Sequence, residues 1–163
     1  MNKRIALIAA NLDTLYETEI ISIMSKQAAL PGYDLIVISH FVNYENGSDS
    51  LRGDENIYTL IEHLPFDGAV LDSGSFYSKD LVERIGDMLY SKGVPVVVFD
   101  QDSSRFESCI QNDREGFRRL TEHFIKVHGH RKIYCLSGPE DNIHSTERIK
   151  GYKEALRENG IAV

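Results

Sequence analysis

One stretch decides the fold class: residues 78–100 read SKDLVERIGDMLYSKGVPVVVFD. Ser78 is a suitable N-cap for a helix, and Gly93 is a typical residue just beyond a helix end. Val94–Phe99 is the strongest strand candidate in the chain. The stretch therefore predicts a helix followed by a strand that ends at Asp100. The apolar residues that form one helical stripe are Leu81, Val82, Ile85, Met88 and Leu89.

The same alternation of helix and strand extends in both directions from this stretch. Buried parallel strands that alternate with helices predict an α/β fold with a doubly wound parallel sheet. In this architecture ligands bind at the carboxyl ends of the strands. The other predicted strands are Ile5–Ala10, Tyr33–Ser39, Ala69–Leu71 and Ile133–Leu136. The other predicted elements are helices at Thr14–Leu30, at Glu55–Leu64, from an Asp113 cap to Gly129 and at Thr146–Asn159, and a loop at Val42–Asp54.

Composition and charge bound the function. The 163 residues include 25 acidic and 18 basic side chains, for a net charge of −7. This balance argues against a nucleic-acid surface on this segment, because phosphate binding needs clustered Lys and Arg. Cys109 and Cys135 form no CxxC motif and predict reduced thiols. The first apolar run is too short for a signal peptide and no run could span a bilayer, so the predicted location is the cytoplasm.

The sequence carries none of the common nucleotide-binding or hydrolytic motifs. Residues 9–13, after the first predicted strand, read AANLD and lack the glycines of GxGxxG, and no GxxxxGK[ST], GxSxG or HExxH occurs. Asp72 resembles the phospho-accepting aspartate of receiver domains, but the acidic pair that those domains need is incomplete. We interpret His128 and His130 as charges at a helix C-terminus. The chain is therefore predicted to have no catalytic residue, no cofactor and no metal site.

The last third of the chain contains four motifs in succession: NDREGF at 112–117, GHRKI at 129–133, LSGP at 136–139 and ERIKGY at 147–152. Their order and spacing look like the effector-binding domain of the lactose/galactose-repressor (LacI/GalR) family. The resemblance implies a periplasmic-binding-protein-like clamp of two lobes, of which the second is incomplete here. The implied division is 1–101 for the N-terminal lobe, 102–111 for a hinge crossover and 112–163 for the start of the C-terminal lobe.

The resemblance and the strand-end rule together predict a set of ligand-binding residues. Tyr16 lies where the family often has an aromatic residue, and Asp100 matches an aspartate that accepts hydrogen bonds from ligand hydroxyls. Arg148 matches the arginine that reaches into the cleft of the family fold. The family commonly has arginine after Asp100, whereas this chain has Gln101, which argues against an ordinary hexose or pentose. The full predicted set is Thr14, Tyr16, Glu17, Asp72, Ser73, Ser75, Asp100, Gln101 and Arg148.

The function that the resemblance implies is sensing of a small sugar-like or nucleoside-like metabolite, with ligand binding coupled to lobe closure, in a transcriptional regulator or signalling protein. No enzymatic activity is expected. By family analogy the first and third predicted helices form a homodimer, and this segment itself contacts neither DNA nor membrane. One alternative is the sensor of a cyclic-dinucleotide synthase or kinase. Further alternatives are a flavodoxin-like or receiver-like domain and an exported transport binding protein.

Overall fold

The computed structural model describes residues 2–12, 14–40, 53–140 and 142–163. The predicted loop Val42–Asp54 lies outside the described residues except for its last two positions. Two compact units make up the chain, Met1–Ile110 and Gln111–Val163. In the described part of the chain, no helix combines the length and apolarity needed to cross a bilayer.

The first unit is built on a five-stranded sheet whose strands are all parallel, in the order β2-β1-β3-β4-β5. The predicted doubly wound parallel sheet is thereby confirmed. The order reverses between β1 and β3, and such a switch point is where open α/β sheets bind ligands. The strands are β1 (Arg4–Ala10), β2 (Asp34–His40), β3 (Gly68–Asp72), β4 (Val96–Phe99) and β5 (Glu107–Cys109). The helices are α1 (Leu15–Ala29), the short α2 (Leu60–His63) after a 3-10 turn at Asn56–Thr59, and α3 (Lys79–Lys92).

Helix α3 and strand β4 form as residues 78–100 predict. The Ser78 hydroxyl accepts the backbone N–H of Leu81 at 3.2 Å, and Gly93 ends the helix with a left-handed φ of 68°. Leu81, Ile85 and Leu89 are buried against the sheet, so the predicted apolar stripe is confirmed as the core-facing side of α3. Because these three side chains exclude water from one face of the sheet, they anchor the strand ends that carry the candidate site.

The short strand β5 lies inside the segment 102–111 that the resemblance assigns to a hinge crossover. It pairs with β4 in parallel, with Ser108 opposite Val98 in the register. The first unit therefore extends through this segment as an edge strand of its sheet.

A buried polar network connects β2 to the middle of the sheet. The Tyr58 hydroxyl donates to the carbonyl of Ala9 at 2.7 Å and lies 2.6 Å from Nδ1 of His40. Since the hydroxyl has only one proton, Nδ1 of His40 must be the donor in the second bond. Burial lowers the pKa of His40, in agreement with a neutral ring, and burial raises the pKa of Tyr58.

Replacing Tyr58 with phenylalanine removes both hydrogen bonds and leaves the Ala9 carbonyl without this donor. We expect the free energy of unfolding of the first unit to fall by about 1–2 kcal/mol, measured by urea denaturation. The matched control is Tyr90→Phe, because the Tyr90 side chain is mostly exposed, and it should change stability by less than about 0.5 kcal/mol. Equal effects of the two substitutions would contradict the network.

The second unit is a pair of packed helices, α4 (Asp113–Lys126) and α5 (Ile143–Glu158). The side chain of Asn112 caps α4 by accepting the N–H of Glu115 at 3.1 Å, so the prediction that Asp113 is the cap is wrong by one residue. Asn142 caps α5, which begins before the predicted start at Thr146. The two caps therefore set where the helices of this unit begin.

The prediction of a strand at Ile133–Leu136 is wrong. These residues form no strand, and Tyr134 and Leu136 are 91% and 99% exposed. A strand requires a hydrogen-bonded neighbour, and the described part of the second unit contains only helices and irregular segments. The apolar run in this segment is therefore not enough to form a sheet by itself.

Candidate ligand-binding site

The carboxyl ends of β1, β3 and β4 lie side by side at the switch point of the sheet, and two serines connect them. The Ser75 hydroxyl accepts the N–H of Ala10 at 2.8 Å and donates to the carbonyl of Asp72 at 2.7 Å. The buried Ser73 donates to the carbonyl of Phe99 at 3.4 Å, which joins β3 to β4. Both predicted site serines thus use their hydroxyls to hold the strand ends together.

Three carboxyl groups at this edge lie within electrostatic reach of one another, those of Glu17, Asp72 and Asp100. Asp72 is only 5% exposed, and burial raises the pKa of its carboxyl to about 6, with the negative charges of Asp100 and Glu17 adding to the effect. The Oε2 atom of Glu17 is buried without a hydrogen-bond partner among the described residues. This edge is therefore an acidic surface that favours groups able to donate hydrogen bonds.

The backbone departs from ordinary geometry where β1 and β4 end. Asn11 and Asp100 have left-handed φ values of 52° and 67°, although neither is glycine. Such conformations are uncommon for residues with a side chain and are concentrated at functional sites. At Gly74 an added Cβ would lie 3.2 Å from Oδ2 of Asp100. The glycine therefore leaves the room that the Asp100 carboxylate occupies.

The other predicted residues of the first unit lie at the start of α1 and after β4. Thr14 is the N-cap of α1, and its hydroxyl accepts the N–H of Glu17 at 3.5 Å. The Tyr16 side chain is 47% exposed in the first turn of this helix. Gln101 is exposed and follows Asp100 directly. Tyr16 and Gln101 therefore present side chains to solvent, whereas Thr14 acts within the helix.

In the second unit, Arg148 is held by a carboxylate that sequence reasoning missed. Its Nε donates to Asp113 at 2.7 Å, and its guanidinium lies over the Phe117 ring at 5.7 Å from the centroid. His144 Nδ1 lies 2.6 Å from the other oxygen of Asp113. Burial by itself would raise the pKa of Asp113, but the hydrogen bonds from His144 and Arg148 hold it below its ordinary value. Arg148 is therefore a cation held in place by a charge-assisted hydrogen bond.

The predicted set omits Asp113 and His144 for a physical reason. In sequence Asp113 looks like a residue of a helix start, and His144 is a lone histidine far along the chain. Their contact arises only when α5 packs on α4. No local pattern signals it.

A doubly wound parallel sheet with polar groups at its switch point defines the class of α/β ligand-binding domains. Within that class, the chain belongs to the family described as periplasmic binding proteins and sugar binding domain of LacI family, which matches residues 2–163. The predicted resemblance is thereby confirmed.

Individual relatives agree with this assignment. The HTH-type transcriptional repressor PurR of Vibrio atlanticus (strain LGP32) is 30% identical over 162 residues, which are 98% of this chain and 45% of the relative. Among solved structures, the Escherichia coli transcriptional repressor ascG is similar with a TM-score of 0.67 at 23% identity, over 99% of this chain and 56% of that one. The transcriptional regulator CelR, in a complex with cellobiose, is similar with a TM-score of 0.67 at 22% identity. The match covers 99% of this chain and 49% of that one. The chain spans about half the length of the relatives it matches.

Proposed function

We propose that this chain is the effector-binding part of a LacI-type transcriptional regulator and that it acts by binding a small metabolite without transforming it. The observation that carries the proposal is the acidic, conformationally unusual edge at the ends of β1, β3 and β4, in a chain that belongs to this family. Groups of this kind at a switch point are typical of ligand recognition. Regulators of this type act in the cytoplasm, and the net charge of −7 favours a segment that does not itself contact DNA.

In the first unit we propose Asp100, Glu17 and Tyr16 as the residues that touch the ligand. The carboxylates accept hydrogen bonds from ligand hydroxyl or amine groups, and the half-exposed Tyr16 ring suits the flat face of a sugar or base. Ser73 and Ser75 support this surface from behind, because their hydroxyls are already bonded to backbone carbonyls. Asp72 also supports the site, because its buried carboxyl contributes to the negative charge of this edge of the sheet.

The chemistry of the first unit also indicates the class of ligand. Three carboxyl groups repel an anionic molecule and attract a neutral or cationic one that offers several donors. We therefore expect polyhydroxyl compounds, nucleosides or free bases to bind in preference to their phosphate esters. In the second unit we propose Arg148 as an acceptor-binding group, held in place by Asp113.

Binding is tested by thermal unfolding of the full chain with a panel of sugars, nucleosides, bases, amino acids and their phosphates. A specific ligand should raise Tm in a saturable manner. For the compound that does so, Asp100→Asn should raise Kd by about tenfold or more, because it removes one charge-assisted hydrogen bond. The matched control is Asp80→Asn on α3, which is exposed and should leave Kd within about twofold.

Two outcomes would contradict the proposal. The first is the absence of saturable stabilisation by every compound of the panel. The second is a ligand whose Kd responds equally to Asp100→Asn and to the Asp80→Asn control.

We also propose that the regulator is a homodimer that uses α1 and α3, as the resemblance implies. Leu15 and Ile23 of α1 and Tyr90 of α3 support this, because these apolar side chains are 92%, 52% and 67% exposed. Exposed apolar groups of this size are typical of a surface that a partner covers.

A further inference from the structure

The last turn of α4 and the turn that follows bring together two histidines that the proposed ligand site does not use. Nε2 of His123 and Nε2 of His128 are 3.1 Å apart. Their ring centroids are 4.9 Å apart, and the ring planes meet at 75°. We propose that His123 and His128 together bind one divalent transition-metal ion, of the zinc, nickel or copper class, through their Nε2 atoms.

The distance between the two ring centroids is the one expected for imidazoles that share a metal ion. A straight N–H···N bond at this nitrogen separation points the two rings directly at each other and places their centroids about 5.4 Å apart. Two imidazoles that share an ion at about 2.0–2.1 Å, with an angle near about 100° at the metal, have nitrogens about 3.1 Å and centroids about 4.9 Å apart. The observed separations of 3.1 Å and 4.9 Å therefore match those of two imidazoles that share one ion.

The backbone around the pair fixes this arrangement before any ion arrives. The N–H of Val127 donates to the carbonyl of His123 at 2.9 Å, and the N–H of Gly129 donates to Ile125 at 3.1 Å. The His130 ring stacks on His128 with centroids 5.9 Å apart and planes 24° apart. This stacking limits rotation of the His128 ring, which reduces the entropy that metal binding must overcome.

The surroundings determine which ions suit the pair. Both histidines are exposed, so water can complete the coordination shell. Neighbouring Glu122 is engaged by Lys126 at 2.7 Å and by Arg118 at 3.4 Å, which leaves imidazole nitrogen as the ligand type. Within the described ranges no group of three or more metal-binding side chains is close enough to hold an ion. Nitrogen ligands favour zinc, nickel and copper over magnesium and calcium, and two of them give an exchangeable site.

The structure adds a third ring to the two histidines that the sequence places at a helix end. The pattern pairs His128 with His130 at the end of a helix, whereas the structure brings the nitrogen of His128 to His123 and leaves His130 as a stacking neighbour. The signal in the sequence is the spacing of five residues across a helix end. The turn that follows Val127 brings the two rings together, and the spacing alone does not predict this turn.

The experiment is isothermal titration of the full chain with zinc chloride at pH 7.5, repeated with nickel and with calcium. The expected result is one zinc ion per chain, a similar response to nickel and no heat from calcium. His123→Gln and His128→Gln should each weaken zinc binding by about tenfold or more, since each leaves a single imidazole. His130→Gln, and His63→Gln as an exposed control elsewhere, should change Kd by less than about threefold.

Far-UV circular dichroism of each variant confirms that the exposed substitutions leave the helices intact. The proposal would be overturned if the wild-type chain bound zinc no more tightly than His128→Gln does. A loss in His130→Gln as large as that in His123→Gln would also overturn it, because the ion would then sit elsewhere. These outcomes are independent of the metabolite-binding tests.

Discussion

Replacing Asp72 with asparagine should raise the free energy of unfolding of the first unit by about 3 kcal/mol at pH 7.5. Burial raises the pKa of this carboxyl from 3.8 to about 6, helped by the charges of Asp100 and Glu17. At pH 7.5 the folded chain therefore carries a buried charge that the unfolded chain exposes to water at no cost. Asparagine has nearly the same shape, and its carbonyl can still accept the N–H of Ser75.

The pH dependence follows from the direction of this shift. Because the folded state binds the proton more tightly, the contribution of Asp72 to stability falls as pH rises from about 4 to about 6 and then stays low. Asp72→Asn should remove this fall. The two proteins should be almost equally stable below pH 4 and differ most above pH 6.

Urea denaturation at several pH values measures both effects, with Asp80→Asn as the exposed control on the same unit. A variant that is less stable than the wild type at pH 7.5 would contradict the account. We also expect Asp72→Asn to weaken metabolite binding, because a group that costs stability at a switch point is typically retained for function.

Replacing Gly151 with alanine should destabilise the second unit by about 3 kcal/mol. Gly151 lies where α5 crosses α4, and an added Cβ would overlap the backbone carbonyl of Arg114 and lie 3.0 Å from the backbone nitrogen of Arg118. Backbone atoms of a helix cannot move aside as the end of a side chain can. The two helices must therefore separate, which weakens the packing that holds Arg148 against Asp113.

The matched control is Gly116→Ala in α4, because nothing lies within 4 Å of the position of its Cβ. Alanine has a higher helix propensity than glycine, so this control should be neutral or stabilising by up to about 1 kcal/mol. Urea denaturation followed by far-UV circular dichroism and by limited proteolysis of the second unit provides the measurement. Similar stability of the two variants would show that the helices do not cross as closely as the structure has them.

Much of the first unit could be predicted because the relevant interactions are local in sequence. The Ser78 cap and the Gly93 end of α3 each depend on a few adjacent residues. The apolar stripe of α3 depends only on helical periodicity. The strand ends that carry Asp72 and Asp100 follow from one topological rule, since parallel strands place their carboxyl ends at the same edge.

The prediction fails where a residue's role depends on a distant partner. Ile133–Leu136 has the composition of a strand, but a strand exists only beside another one. Ser73 and Ser75 stay predicted as ligand contacts, but their hydrogen bonds to carbonyls of the strand ends could not be predicted from sequence position. The roles of these residues are set by what lies opposite them in space.

By itself, the sequence determined the fold class, the family and the strand-end positions at which to look for a ligand. Periodicity, caps and motif order depend on residues near one another in the chain and need no tertiary contact. Only the tertiary structure decided that Asp113 holds Arg148, that three carboxyl groups share one edge and that His123 faces His128. Charges and hydrogen bonds act over a few ångströms of space, and packing alone decides which distant residues come that close.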